Sequence, residues 1–306
     1  MLTLGALLQG FRTEFRTEFN DAWLERAKAT PDWRIVSSQF ASTGERNQYG
    51  FFLDRAKVRE WIGNRAATSI QAAVYELVNR DWETTLELKA NDIKDDMRGM
   101  LLANVREIAN EFDRAIEEGV FSGLKLGYAA TSLCFDGVPF FNATHPRKIG
   151  STLPVWSNYT AAGGVHPWVL MDSKAPLHGM IYQEREAPKF DEILGLDSEY
   201  CKTTNRVQYG ANARYVVGYG DPSTCYMSCA AITEANLVAA YEAMLAYTDD
   251  EGRPLNRVPD TIIFDPTLWA EFAALILKEN RWDGTIYTNN LFYNKLKMVQ
   301  NGWMIP

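Results

Sequence analysis

The chain is poor in cysteine, histidine and positive charge, and it has no long apolar run. Its four cysteines are Cys134, Cys201, Cys225 and Cys229. They are too sparse and too irregularly spaced for a disulfide framework, so reduced thiols in a cytoplasm are expected. Cys225 and Cys229 are four apart, and no second Cys or His pair lies near them in sequence, which argues against a zinc knuckle. Lys and Arg number 31 against 39 Asp and Glu, a net charge of −8. That balance argues against a protein that grips nucleic acid across its whole surface. No stretch approaches the roughly 20 apolar residues of a membrane span, so no membrane partner is expected. The opening MLTLGALLQG lacks the basic start and long apolar core of a signal peptide. No Walker loop and no dinucleotide fingerprint occurs, so no nucleotide cofactor is expected.

Aromatic residues are plentiful instead: nine Trp, fourteen Tyr and fifteen Phe. Such side chains bury much area and are enriched at interfaces, which suits a protein built for contact. At the start, GFRTEFRTEFNDAW sets Phe11, Phe15, Phe19 and Trp23 four apart, an aromatic stripe along one helix face over 1–30. The stripe can pack on its own domain or dock on a neighbour.

Farther on, Trp82, Thr84, Leu86 and Leu88 alternate with charged and polar residues, the period of a half-buried strand. The region 46–90 is therefore read as a β-rich excursion. From Asp92, spacings of three and four place Met97, Leu101, Val105, Ile108, Phe112 and Ile116 on one face of a long helix. Asp92 is its expected N-cap. Residues 92–118 hold eight acidic and four basic residues, half of the chain's negative excess. Gly119, Gly123 and Gly127 follow and are expected to loosen the helix end. MIYQEREAPKF and VQYGANARYVVGYG read as strands, and TIIF as a short buried one. Thr233 caps a helix with Leu237, Ala240, Tyr241, Met244 and Leu245 inward. Asp265-Pro266 opens another with Leu268, Trp269, Phe272 and Ile276 inward. Strands and helices thus mix as in an α+β protein.

The stretch LCFDGVPFFNATHP, 133–146, holds the residue types of a cysteine hydrolase: Cys134, Asp136 and His145. A Cys–His nucleophile needs its thiolate beside an imidazole. Cys134 stands in an apolar run, Asp136-Gly137 signals a turn, and Pro146 holds His145 extended. The stretch therefore reads as a strand end, a turn and an extended exit. Phe135, Phe140 and Phe141 are expected to matter through packing. His166 and His178 read as lone loop histidines. No catalytic, cofactor-binding or metal residues are assigned, and no enzyme activity is expected.

A resemblance accounts for the order of these segments. REWIGNR, YELVNRDWETTLELKANDIKDD, the long helix, LCFDGVPFFNATHP, PLHGMIYQEREAPKF, VQYGANARYVVGYG and PDTIIFDPTLWAEFAALI follow one another as they do in the major head subunits of Mu-like phages and prophages. The chain resembles that family along nearly its whole length. The resemblance implies the Hong Kong 97-type capsid fold: an arm over 1–45, an extended β-hairpin or E-loop over 46–91, a spine helix and peripheral domain over 92–225, and an axial-type α/β domain over 226–306. It implies a major capsid protein that self-assembles into hexamers and pentamers of an icosahedral shell. The implied partners are other copies of the chain, a scaffold or maturation protease, portal and head-completion proteins, and double-stranded DNA held loosely. The implied location is the virion capsid, assembled in the bacterial host cytoplasm. A net negative wall suits such a container, because it does not stick to packed DNA. Protruding aromatic and arginine anchors would carry contacts between subunits. The candidates are Phe11, Phe15 and Phe19 on the arm and Arg59, Trp61 and Arg65 near the E-loop. The rival readings are an encapsulin-like nanocompartment shell and a cysteine hydrolase centred on Cys134 and His145.

Overall fold

The computed structural model describes residues 4–29, 31–52, 72–94, 98–147, 151–161, 163–164, 166–195, 197–282 and 287–306. The arm is one helix, α1 (Leu4–Lys28), followed by the short α2 (Asp32–Val36) and β1 (Ser37–Ala41). A hairpin of β2 (Arg46–Phe52) and β3 (Ala72–Val78) leads to β4 (Arg80–Lys89), α3 (Ala90–Lys94) and the spine helix α4 (Arg98–Lys125). The middle supplies β5 (Tyr159–Thr160), β6 (Trp168–Met171), β7 (Met180–Leu194), α5 (Glu199–Thr204), β8 (Arg206–Tyr219) and β9 (Cys225–Ser228). The remainder is α6 (Glu234–Leu245), β10 (Thr261–Phe264), α7 (Trp269–Ile276), β11 (Asn280–Trp282), β12 (Tyr287–Asn289) and β13 (Lys297–Gln300).

Two sheets organise these elements. The first runs β1-β7-β8-β4. Its long β7 and β8 are antiparallel, with register shifts between Glu184 and Leu194. The helices α1 and α4 pack on each other and on this sheet. Phe15, Phe19, Val105, Phe112, Ile116, Phe121, Phe140 and Tyr209 share the resulting core. The second sheet runs β13-β10-β6-β9-β5. Its core joins Trp168, Leu170, Ile262 and Phe264 to Leu237 and Met244 of α6 and Phe272 and Ile276 of α7. TIIF is buried throughout, as its composition requires. Thr233 and Asp265 both cap as expected, accepting from the backbone N–H of Asn236 and Thr267.

Several expectations change. Within 46–91, β2 and β3 pair with each other, while β4 belongs to the first sheet, paired with β8 from Arg80–Tyr215 to Lys89–Arg206. The second sheet takes β5 and β6 from the middle of the chain, so 226–306 alone does not close its core. Asp92 lies inside α3 and does not cap the spine, and Met97 lies outside the described residues. Leu101, Val105, Ile108, Phe112 and Ile116 are buried as the spacing requires. The spine then continues through Gly119 and Gly123 to Lys125, 28 residues in all. At ~1.5 Å per residue that is a beam of roughly 42 Å. The glycines do not loosen it; they let it approach the sheet. A Cβ on Gly123 would stand 2.7 Å from Met180 Cε of β7.

Leu245 is 42% exposed and Trp269 is 49% exposed, although helical spacing placed both inward. Each lies at a helix end, where the sheet no longer covers the stripe. Trp82 is also partly exposed, but its ring stacks on Tyr215 at 5.0 Å and its Nε1 donates to the Tyr215 carbonyl.

Candidate functional site

The first candidate region is the turn at 133–146. Cys134 N–H donates to the Val138 carbonyl and Gly137 N–H to the Cys134 carbonyl, which closes a tight loop. Gly137 has φ +80°, a value that side-chain-bearing residues rarely adopt. The turn directs Asp136 back toward Cys134, whose Sγ donates to Asp136 Oδ1 at 2.9 Å. The other carboxylate oxygen, Oδ2, lies 2.7 Å from His145 Nδ1. His145 is fully buried. Its ring stacks on Trp156 at 4.4 Å, and its Nε2 lies 3.0 Å from Asn158 Oδ1. The structure thus gathers three residues that the turn-and-exit reading left apart. Nothing in the sequence ties Asn158 and Trp156 to His145.

This arrangement is not a Cys–His nucleophile pair. The carboxylate stands between thiol and imidazole. Burial, with the neighbouring Asp136 charge and hydrogen bond, pushes the Cys134 thiol well above its usual range, so it stays protonated at neutral pH. Packing dominates the rest of the stretch. Phe140 and Phe141 are buried, Phe140 stacking on Tyr219 and Phe141 lying against Gly127. Phe135 is partly buried against Ile181 and its neighbours. The other two histidines are not lone. His166 Nδ1 meets Asp265 Oδ2 at 2.6 Å, and His178 Nδ1 lies 2.9 Å from the Ala175 carbonyl. Beside the turn is a cavity of about 470 Å³, bordered by Asp136, Arg147, Trp156, Asp221 and Arg257.

The second candidate region is the set of elements expected to touch neighbouring subunits. On α1 the structure turns two of the three named aromatics inward. Phe15 meets Tyr209 edge-on at 5.3 Å. Phe19 stacks on Phe190 at 5.5 Å and meets Phe112 edge-on. Both are almost wholly buried in their own chain, where they pack internally. Charge reinforces the docking. Arg12 and Arg16 each lie 2.9 Å from Asp191 of β7, and Arg106 of the spine pairs with Glu18 and Glu25. Burial alone would raise the Asp191 carboxyl. The hydrogen bonds from Arg12, the Glu192 N–H and Arg16, with the Arg16 charge, outweigh it and hold the group below its usual range. The Phe11 side chain and Arg59, Trp61 and Arg65 lie outside the described residues.

Other apolar side chains do face outward. On the hairpin, Val74 is 60% exposed, and Val78 is exposed beside it. Leu277, Leu291 and Tyr293 are exposed near the end of α7 and after β12. Among the described residues, no helix is long and apolar enough to cross a membrane.

Comparison with known proteins gives these surfaces a context. The family model of the Mu-like prophage major head subunit gpT matches residues 8–304. The Mu-like prophage FluMu major head subunit of Haemophilus influenzae is 28% identical over 98% of this chain and 97% of its own length. The major capsid protein of Escherichia phage Mu is 26% identical over 97% of this chain and 96% of its own. A chain in the procapsid of bacteriophage JBD30 has a TM-score of 0.83 at 30% identity, covering 99% of this chain and all of that one. A chain of the JBD30 capsid shares the fold, with a TM-score of 0.75 at 22% identity over 90% of this chain and 91% of that one. Neither the nanocompartment nor the hydrolase reading is favoured by these matches. From arm to last strand, this chain belongs to the Mu-like prophage major head subunit gpT family.

Proposed function

We propose that this major capsid protein builds an icosahedral shell of hexamers and pentamers around double-stranded DNA. The observation that carries the reading is the match along the whole chain, in sequence and in fold, to a subunit of the JBD30 procapsid. The surfaces suit the task. A shell subunit needs protruding contacts, because a globular body alone offers too little area for many neighbours. The hairpin supplies one, with its exposed Val74 and Val78. We assign Arg59, Trp61 and Arg65, which lie between its two strands in the sequence, to intersubunit contacts together with Phe11. The net charge of −8 favours loose contact with packed DNA. Assembly in the host cytoplasm with a scaffold or maturation protease, and completion by a portal and head-completion proteins, belong to the same proposal. So do the arm over 1–45 and the peripheral and axial units.

Negative-stain microscopy of the expressed chain, with and without a co-expressed scaffold, tests the proposal. Capsomers or closed shells are expected. A chain that stays monomeric under both conditions overturns it.

A further inference from the structure

We propose that Cys134, Asp136 and His145 form a binding site for a thiophilic divalent cation of the zinc class, a staple between the 133–146 turn and the segment around Asn158. The argument starts from Asn158. Its Nδ2 donates to the carbonyls of Phe140 and Pro222, at 2.8 and 3.0 Å. Its Oδ1 accepts from the Asn142 N–H at 2.8 Å. Three backbone groups therefore fix the amide, and Oδ1 can only accept. His145 Nε2, 3.0 Å from that oxygen, must be the donor. In a neutral imidazole this leaves a lone pair on Nδ1, and that atom stands 2.7 Å from Asp136 Oδ2. Two acceptors cannot lie so close unless something positive sits between them.

At 2.7 Å that species is a shared proton, and the third donor, Cys134, makes this a place where a metal ion can replace it. The ligand atoms of Cys134, Asp136 and His145 all lie within 4.8 Å of one another. Sulfur, nitrogen and carboxylate oxygen are the donor set that zinc selects. Zinc–ligand bonds of about 2.0–2.3 Å need ligand atoms roughly 3.3–3.8 Å apart, so the present contacts open by less than about 1 Å. The Nε2–H bond to a locked carbonyl orients a metal-binding histidine in the usual way. Asp136 borders the 470 Å³ cavity, which gives an ion its entry and a water its place as fourth ligand. The exchange balances. The ion enters, Cys134 loses its thiol proton, the proton shared by Asp136 and His145 leaves, and three protein bonds to the metal form. No oxidant or reductant takes part.

The test uses the full-length chain, stripped of metal under reducing conditions and titrated with Co²⁺ alone, then with Zn²⁺ in competition. A thiolate-to-cobalt absorption band that saturates at one ion per chain is expected, and zinc should erase it. The Cys134→Ser variant keeps a hydroxyl donor for Asp136. It should lose the band and weaken zinc binding by about 10-fold or more. No band in the wild type, or a band that survives Cys134→Ser, overturns the proposal. Should that variant fail to fold, X-ray absorption of the zinc-loaded wild type decides. One sulfur among nitrogen and oxygen neighbours supports the site, and an all-oxygen shell overturns it. None of these readouts depends on shell formation.

Discussion

The arm and the hairpin make opposite use of apolar surface, although both were expected to reach neighbouring subunits. Helix α1 carries an aromatic stripe, and the chain covers it with its own spine and β7. The hairpin β2–β3 has two faces. Tyr49 and Leu77 lie buried with Ile181 and Val216, while Val74 and Val78 point outward and are exposed. The difference is geometric. A helix stripe is one face and one element can cover it, whereas a two-stranded ribbon always has a second face. The arm's aromatics Phe15 and Phe19 therefore stabilise the subunit, and the hairpin's outer face is the one we propose for assembly.

The largest break in that contrast comes from the arm. Phe19→Ala removes a fully buried ring between Phe112 and Phe190. It should cost about 3–5 kcal/mol, read from the denaturation midpoint of the dissociated chain. A loss under about 1 kcal/mol would mean that α1 does not dock on its own subunit. Next is the spine under the same core. Gly123→Val drives a branched side chain toward Met180 and should cost about 1–3 kcal/mol. Gly99→Ala, with open space at its Cβ, should instead stabilise by up to about 1 kcal/mol. Equal effects at the two positions would contradict the close helix–sheet approach at Gly123.

A smaller effect follows from the ion pairs that hold the arm. The Asp191 carboxyl is held below its unfolded value, so its contribution is present above the unfolded value, about 4, and is lost as pH falls through the lower folded one. Acid titration of arm docking, followed by tryptophan fluorescence, should therefore show a step in that acid range. Arg12→Ala with Arg16→Ala should weaken the step, and so should added salt, because the pairs are largely exposed. A step unchanged by both would assign it to another group. The smallest effect on the subunit is expected at the hairpin. Val74→Glu with Val78→Glu should leave its stability within about 0.5 kcal/mol and yet abolish capsomers or shells in the microscope. Shells of normal appearance would remove the hairpin's outer face from the assembly surface.

Much of this architecture was legible residue by residue. The spine's stripe from Leu101 to Ile116, the buried TIIF strand and the caps at Thr233 and Asp265 all follow from local spacing and local hydrogen bonding. Local spacing fails where a distant segment decides the outcome. Gly119 and Gly123 looked like a helix end until β7 and β8 came close enough to need the missing side chains. Leu245 and Trp269 have the right spacing to be buried, but among the described residues they stay exposed at their helix ends. The 133–146 stretch does turn, and its Phe140 and Phe141 pack. Its convergence with Asn158 could not be read, because no periodicity or cap relates the two.

By itself the sequence determined the arm and spine helices, the buried TIIF strand, the two caps and the family. Each of these rests on spacing, composition or order along the chain, which need no partner to be read. Tertiary structure alone decided which face of the arm is covered and that β5 and β6 cross to the second sheet. It alone brought Cys134, Asp136 and His145 within reach of one another. The reason is physical: burial and hydrogen bonding depend on what arrives opposite a residue, and for these residues the partners come from remote parts of the chain.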